Sequence, residues 1–496
     1  MAANTPASGS GVWTISSGTG TITTPSDPAT TVTGVTPGSS TVLKWTITSG
    51  TCTDFDEVTV TNYENVSAAN AGPDQSGCST SIFTLAANTP SVGTGTWSVV
   101  SGPSTSASQF DNTASSTATF TPAGGLGTYT LQWSITNGDC ASTDEVDIVV
   151  NSGSCCPTPG TVWYVDASAP SGGTGTSWAC AFDKLQDAID ASSSGQEIWV
   201  KAGLYLPTKD PFGNASPADP RDKVFYLKNG VAIYGGFAGT ETMRTQRNWT
   251  ANSTTLSGDI GTASVNSDNS YHVVLSVNDD NTTVLDGFTI MDAYTDGSGS
   301  ISVESRSISR TRGAGIYSYF SSLTINNCTI SGNTIPSGNG VGAGMYCSFG
   351  TPTVNNCMFS GNSTTDRGGG MYNSYVSNMS ISNCTFTNNT SLYGGGAYNS
   401  NSTLTFTSCS FLSNTASISG GGMRNETSTF VTVVDGVFAG NSATSTNGGG
   451  FYIGTSSTGA VLTNCLITGN SSGGTGAGIY NSGTPTATFT NCTISG

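Results

Sequence analysis

Charge is what this sequence has least of. Among 496 residues there are 14 Lys plus Arg and 31 Asp plus Glu, which leaves 9% charged residues and a net charge of −17. A nucleic-acid interface needs a basic surface, and so few cations cannot supply one. The same balance makes an anionic membrane surface a poor partner. There is one His, His272, too few for a His-supported metal site. No apolar run approaches the ~20 residues of a bilayer-crossing helix, so no membrane insertion is expected within these residues. Met1 is followed by neither the basic stretch nor the apolar run of a secretory leader. The end falls inside a repeat. Both boundaries are expected to cut a longer protein, with any leader or anchor outside.

What the chain has instead is Gly, 65 of them, with abundant Ser, Thr and Asn. Periodic apolar residues run through this polar background, so the reading is ordered, turn-rich β structure and not disorder.

The first part is a duplication. "AANTPASGSGVWTISSG" at Ala2 returns as "AANTPSVGTGTWSVVSG" at Ala86, and "LKWTITSG" at Leu43 returns as "LQWSITNG" at Leu131. Trp13 matches Trp97, and Trp45 matches Trp133. Short alternating strands between Gly, Pro, Ser and Asn suit two immunoglobulin-like sandwich modules, residues 1–64 and 65–152. "ANAGPDQSGC" at Ala69 resembles the starts of immunoglobulin-like or PKD-like repeats in large secreted bacterial surface proteins. A Cys78–Cys140 bridge would staple the second module in an oxidising compartment. Cys52 is the equivalent of Cys140 and is expected to lack its partner. Asp54, Asp56 and Glu57, repeated as Asp144 and Glu145, are oxygen ligands that structural Ca²⁺ would use. The competing reading is a solvated strand edge. No other cofactor is expected.

Residues 153–496 read as one solenoid. "NSGSCCPTPG" from Asn151 is a linker, and Cys155 or Cys156 is a candidate partner for Cys180. Phe182, Leu185, Ala188 and Ile189 follow helical spacing, which predicts a short helix over 181–191 capping the open end of a coil. Residues 160–312 then form irregular strands. From Gly313 the repeat is explicit: Tyr317, Tyr346, Tyr372, Tyr398, Arg424, Tyr452 and Tyr480 share one register at spacings of 26 to 29 residues. That is the period of a coil per repeat. Met345, Met371, Ala397, Met423, Phe451 and Ile479 precede the column and should point inward, which sends the Tyr outward. Bends are expected at Asn327, Asn356, Asn383, Ser408, Asp435, Asn464 and Asn491. Each coil closes at Asn333, Asn362, Asn389, Asn414, Asn441 or Asn470.

"GGGMYN" at Gly368 with "CTFTNN" at Cys384 resembles the repeats of polymorphic outer-membrane proteins, which are autotransported adhesins, and β-helix proteins of bacterial surface arrays. The resemblance implies an all-β chain ending in a right-handed parallel β-helix of the pectate-lyase-like kind. It implies extracellular, cell-surface work.

The same repeats carry Cys328, Cys357, Cys384, Cys409, Cys465 and Cys492, with Gly436 in the remaining coil. Parallel inward side chains are wrongly aimed for S–S bonds, lack His to complete a metal site and lack a base for nucleophilic work. Free Cys is a small buried hydrophobe, so a core-filling ladder is expected. The Tyr column (Tyr317, Tyr346, Tyr372, Tyr398, Tyr452, Tyr480) is the candidate binding stripe, exposed for sugars or a protein partner. The alternative is mutual packing of the rings. The long segments 207–222 and 293–312 are further candidate binding loops.

From Gly313 onward the charged residues are Asp366, Arg367, Arg424, Glu426 and Asp435. Asp366 and Arg367 read as solvated loop residues. Asp279, Asp280 and Asp286 with His272 form the best catalytic constellation on offer. Neither the paired-Asp set of polygalacturonases nor the Arg-rich strand of pectate lyases is present. The sequence is therefore read as a non-enzymatic surface protein of adhesion or filament architecture. A polysaccharide-degrading β-helix and a purely structural filament subunit are the alternatives. Expected partners are surface glycans or proteins, or other copies end to end.

Overall fold

Asn327, Asn356, Asn383, Ser408, Asp435, Asn464 and Asn491 all have φ between 52° and 56°. Short polar side chains tolerate this left-handed conformation because they bond nearby backbone. Each residue turns its coil from one sheet onto the next, and stacking of these corners makes the solenoid. The computed structural model describes residues 1–77, 81–150, 160–336 and 338–495, in two units, Met1–Cys155 and Cys156–Gly496.

The first unit holds two antiparallel modules. In one, Ser10–Ser17 pairs with Ser39–Ser49, which pairs with Cys52–Asn62. In the other, Thr94–Ser101, Gly127–Asn137 and Cys140–Val150 repeat that order. The repeated Trp residues form the same packed pair in each module. Trp13 and Trp45 lie 5.2 Å apart, and Trp97 and Trp133 lie 5.1 Å apart. Gly95 has no room for a Cβ, which would come within 2.0 Å of the Trp133 ring, and Gly11 repeats this against Trp45 at 2.1 Å. The described residues of the two modules carry five and six strands, which establishes antiparallel β modules.

Cys78 of the expected Cys78–Cys140 bridge lies outside the described residues, and Cys140 is a free thiol. Cys180 is disulfide-bonded, and its partner is not among the described residues.

The second unit is a parallel β-solenoid. Its four sheets contain 11, 10, 9 and 6 strands among the described residues, each strand bonded to its counterpart in the coil before and after. The helix is Leu185–Ala191, not 181–191. Phe182 remains extended, bridging to Val165, and its backbone bonds Tyr164 and Asp166. Leu185, Ala188 and Ile189 join the continuous core that runs to Ile467.

Two ladders organise that core. Phe359, Phe386, Phe411 and Phe438 stack with centroids 4.8, 4.7 and 4.7 Å apart. Asn333, Asn362, Asn389, Asn414 and Asn441 are fully buried, and each Nδ2 donates to Oδ1 of the next coil's Asn at 2.9 to 3.0 Å. Buried amides must find partners, and one coil spacing supplies them above and below.

Candidate functional site

Cysteine chemistry is not the site. Cys328, Cys357, Cys384, Cys409 and Cys465 are buried free thiols, and Cys492 is half-buried. Each Sγ reaches carbonyls, as Cys328 does to Asn326 at 3.1 Å and Leu285 at 3.7 Å. A second inward thiol, Cys347, is fully buried as well. Burial pushes Cys347 up to about 12 and Cys465 up to about 11, which keeps both as thiols. The gap in the ladder has a cause: a Cβ on Gly436 would lie 2.5 Å from Val433 Cγ1. Among the described residues no group of three or more His, Cys, Asp or Glu is arranged to hold a metal ion. Thiol titration of the native protein is expected to modify exposed Cys52 and to spare Cys347, Cys357 and Cys409 until denaturant is added. Rapid native labelling of Cys357 would contradict this ladder.

The carboxylates of the first unit are spread along strands. Asp144 accepts the Ala71 N–H at 2.8 Å, Glu145 accepts from Gln132 at 3.1 Å, and Glu57 accepts from Ser16 at 2.9 Å. Asp54 and Asp56 each accept the following backbone N–H at 2.9 Å.

The His–Asp constellation is not assembled. His272 is buried, donates from Nδ1 to the Gly313 carbonyl at 3.0 Å and packs on Tyr317 at 5.1 Å. Asp279 accepts from Ser276 Oγ at 2.6 Å, and exposed Asp280 caps its own turn through Thr282 N–H at 2.8 Å. Asp286 pairs with Arg247 at 2.8 Å and accepts from Asn327 at 2.8 Å. Each group is committed to a different partner.

Of the two readings of the Tyr column, the structure has the mutual packing of the rings, and the column is largely covered. Tyr317, Tyr346 and Tyr398 are buried, and Tyr372, Tyr452 and Tyr480 are half-buried. The rings do point outward, but one coil spacing stacks them on each other, at 5.7 Å for Tyr346–Tyr372, 5.4 Å for Tyr372–Tyr398 and 5.3 Å for Tyr452–Tyr480. Arginines then cover the stack: Arg312 over Tyr346, Arg367 over Tyr398 and Arg424 over Tyr452. The hairpin Ser300–Val303/Arg306–Ser309 packs Val303 and Ile308 with Tyr317. The two long segments are also clasped together, by Arg221–Asp296 at 2.6 Å and by Arg310 Nε donating to Asp222 at 2.8 Å. They act as a wall more than as free loops.

Three more aromatics lie three residues further along, Phe320 half-buried and Phe349 and Tyr375 exposed. Phe320, Phe349 and Tyr375 follow the strands Ile316–Tyr319, Met345–Ser348 and Met371–Ser374. Their rings stack at 4.8 Å in both steps. All three have φ of 54° to 55°, a conformation costly for bulky residues. The next coil places Asn401 at this position. Phe349 is 42% exposed and Tyr375 54%. The sequence does carry this signal, an aromatic at a fixed offset from the Tyr column, but it covers only three coils and escapes a search for full-length columns.

Between this rail and the Tyr stack lies a groove of about 420 Å³. Its floor has Tyr346, Ser348, Tyr372 and Ser374, its rail has Phe349 and Tyr375, and its other side has Arg312, Asp366 and Arg367. Asp366 is not solvated: it is 8% exposed, and burial raises its carboxyl above the ordinary range against the opposing pull of Arg367. Arg312 donates to Tyr346 Oη at 3.2 Å. The groove offers hydroxyls, flat apolar rings, two guanidinium groups and one largely buried carboxyl.

A family model described as a right handed beta helix region matches residues 350–494. No curated protein matches the sequence. Among solved structures the chain is similar to the pectate lyase Pel9A, at 12% identity over 64% of this chain and 79% of that one, with a TM-score of 0.38. It is similar to a Yersinia enterocolitica family 28 exopolygalacturonase, at 12% identity over 76% and 83%, with a TM-score of 0.18. It is also similar to an endo-fucoidan hydrolase of glycoside hydrolase family 107, at 15% identity over 29% and 24%, with a TM-score of 0.13. All three are enzymes, which corrects the expectation that this chain is not one. That expectation rested on scarce charge, and scarcity does not exclude a site built from few residues. Likeness at this level gives no residue here a role.

Proposed function

We propose that this chain belongs to an extracellular, cell-surface protein whose solenoid engages extended glycan chains along the groove of the third sheet, in adhesion or surface architecture. The observation that carries the reading is the rail Phe320–Phe349–Tyr375. Three bulky residues sit in left-handed backbone, at ~1–2 kcal/mol of strain each, while two of the rings stay exposed. Burial does not recover that cost, and Asn401 shows a cheaper residue for the same corner. Exposed aromatics beside polar groups suit sugar rings, which present apolar faces and hydroxyl edges. In a stack only the edges and the terminal faces are free. Arg306 covers Phe320 at one end. The Tyr375 face toward Asn401 is therefore the platform for a sugar ring.

Glycan-array binding by the full chain tests this. Tyr375→Ala is expected to weaken binding ~10-fold, the value of one lost aromatic platform. Equal binding by the variant would remove the rail from the site. Immunogold labelling of source cells should place the protein on the outer surface.

A second reading, cleavage of the bound glycan, is favoured by Asp366. A largely buried carboxyl that burial raises above its usual range, beside Arg367, is a candidate proton donor to a bound glycan. New reducing or unsaturated ends released from a glycan panel, and lost in Asp366→Asn, would support it.

A further inference from the structure

Resting on the glycan reading of the groove, we infer that its occupant is an anionic polysaccharide with a carboxylate or sulfate on alternate sugars, held by Arg312 and Arg367. The coils around the groove are nearly free of charge, so each guanidinium there needs an account. Most arginines of the second unit have carboxylate partners: Arg221, Arg244, Arg247 and Arg310 pair at 2.5 to 2.8 Å, and Arg424 pairs with Glu426. Arg312 has none within 4.0 Å among the described residues, and its recorded partners are the ring and hydroxyl of Tyr346. Arg367 has only Asp366, at 3.6 Å from Nε, and stays 42% exposed along its side chain. Both lie along the groove with planar donor forks suited to carboxylate or sulfate.

The register sets the spacing. Arg312 bridges to Val341, and Val341 bridges to Arg367, so the two arginines stand two coils apart, ~9.6 Å. An extended pyranose advances by about one coil spacing. A charge on every second sugar therefore meets an arginine, while a charge on the intervening sugar faces apolar Val341, 5% exposed. Asp366 opposes an anion at Arg367.

The test uses the full chain and three probes: hyaluronan, with one carboxylate per disaccharide; polygalacturonate, with one per sugar; and neutral dextran. Hyaluronan is expected to bind tightest. Arg312→Gln and Arg367→Gln should each weaken it ~10-fold and weaken dextran far less. Asp366→Asn should tighten hyaluronan several-fold, a gain that misfolding cannot imitate. Dextran binding that depends on Tyr375, without hyaluronan preference, would overturn the inference and keep the glycan reading. Equal arginine-dependent binding of both anions would overturn the alternate-charge spacing. No binding to any probe would overturn both.

Discussion

Asn389→Ala is expected to destabilise the solenoid by ~4 kcal/mol, a large loss for one side chain. Asn389 is fully buried. Its Nδ2 donates to the Phe359 carbonyl at 2.9 Å and to Asn414 Oδ1 at 2.9 Å. Its Oδ1 accepts from the backbone N–H and the Nδ2 of Asn362, at 3.1 and 3.0 Å. Alanine deletes all four bonds and strands buried polar groups in the coils on either side, each at ~1–3 kcal/mol. Asn389→Asp should be no better, because a carboxylate cannot donate to Asn414 Oδ1. Since each coil contacts only its neighbours, the damage should be local. Hydrogen exchange should rise most in the coils holding Asn362, Asn389 and Asn414. A shift under ~1 kcal/mol, or exchange spread evenly over the solenoid, would mean the ladder is a consequence of stacking and not a support for it.

Asp279→Asn is expected to stabilise the protein by up to ~4 kcal/mol at pH 8 and to change little at pH 4. Asp279 is 4% exposed, and burial, with neighbouring Glu304 and Asp280, raises its carboxyl to about 7 from 3.8. The folded state therefore binds the proton more tightly than the unfolded one. That contribution is complete below pH 3.8 and is lost as pH rises through 7. Asn keeps an acceptor for Ser276 Oγ and never ionises. His272 works in the opposite sense: burial lowers it to about 4 from 6.5, so its contribution is present above 6.5 and lost as pH falls toward 4. The two offset each other between pH 4 and 6.5 in the parent protein. In Asp279→Asn the His272 slope should stand alone, with stability falling as pH drops through that window. Melting temperatures of both proteins from pH 4 to 8 check this. Parallel curves would show that Asp279 is ionised in the folded protein.

How much of this was legible depends on what each residue answers to. The repeat period, the inward Met and Phe positions and the left-handed corners at Asn327 through Asn491 follow from local chemistry and alternation, and local chemistry is written in the sequence. The helix was placed four residues early because Phe182 obeys helical spacing but is held extended by Tyr164 and Val165, a long-range competition. Packing of the Tyr rings on each other and on Arg424 was legible from their shared register, but the covering by Arg312 and Arg367 was not, because both lie outside that register in sequence.

The sequence by itself therefore determined the architecture: stacked coils around a buried interior of Phe, Cys and Asn ladders. Only the tertiary structure decided which rings and charges stay exposed. One-coil stacking turns an outward Tyr column into a covered one, leaves the Phe349 and Tyr375 rings in water, buries Asp366 and brings Arg312 within two coils of Arg367. Burial and charge pairing are sums over neighbours from several coils, and no single repeat contains them.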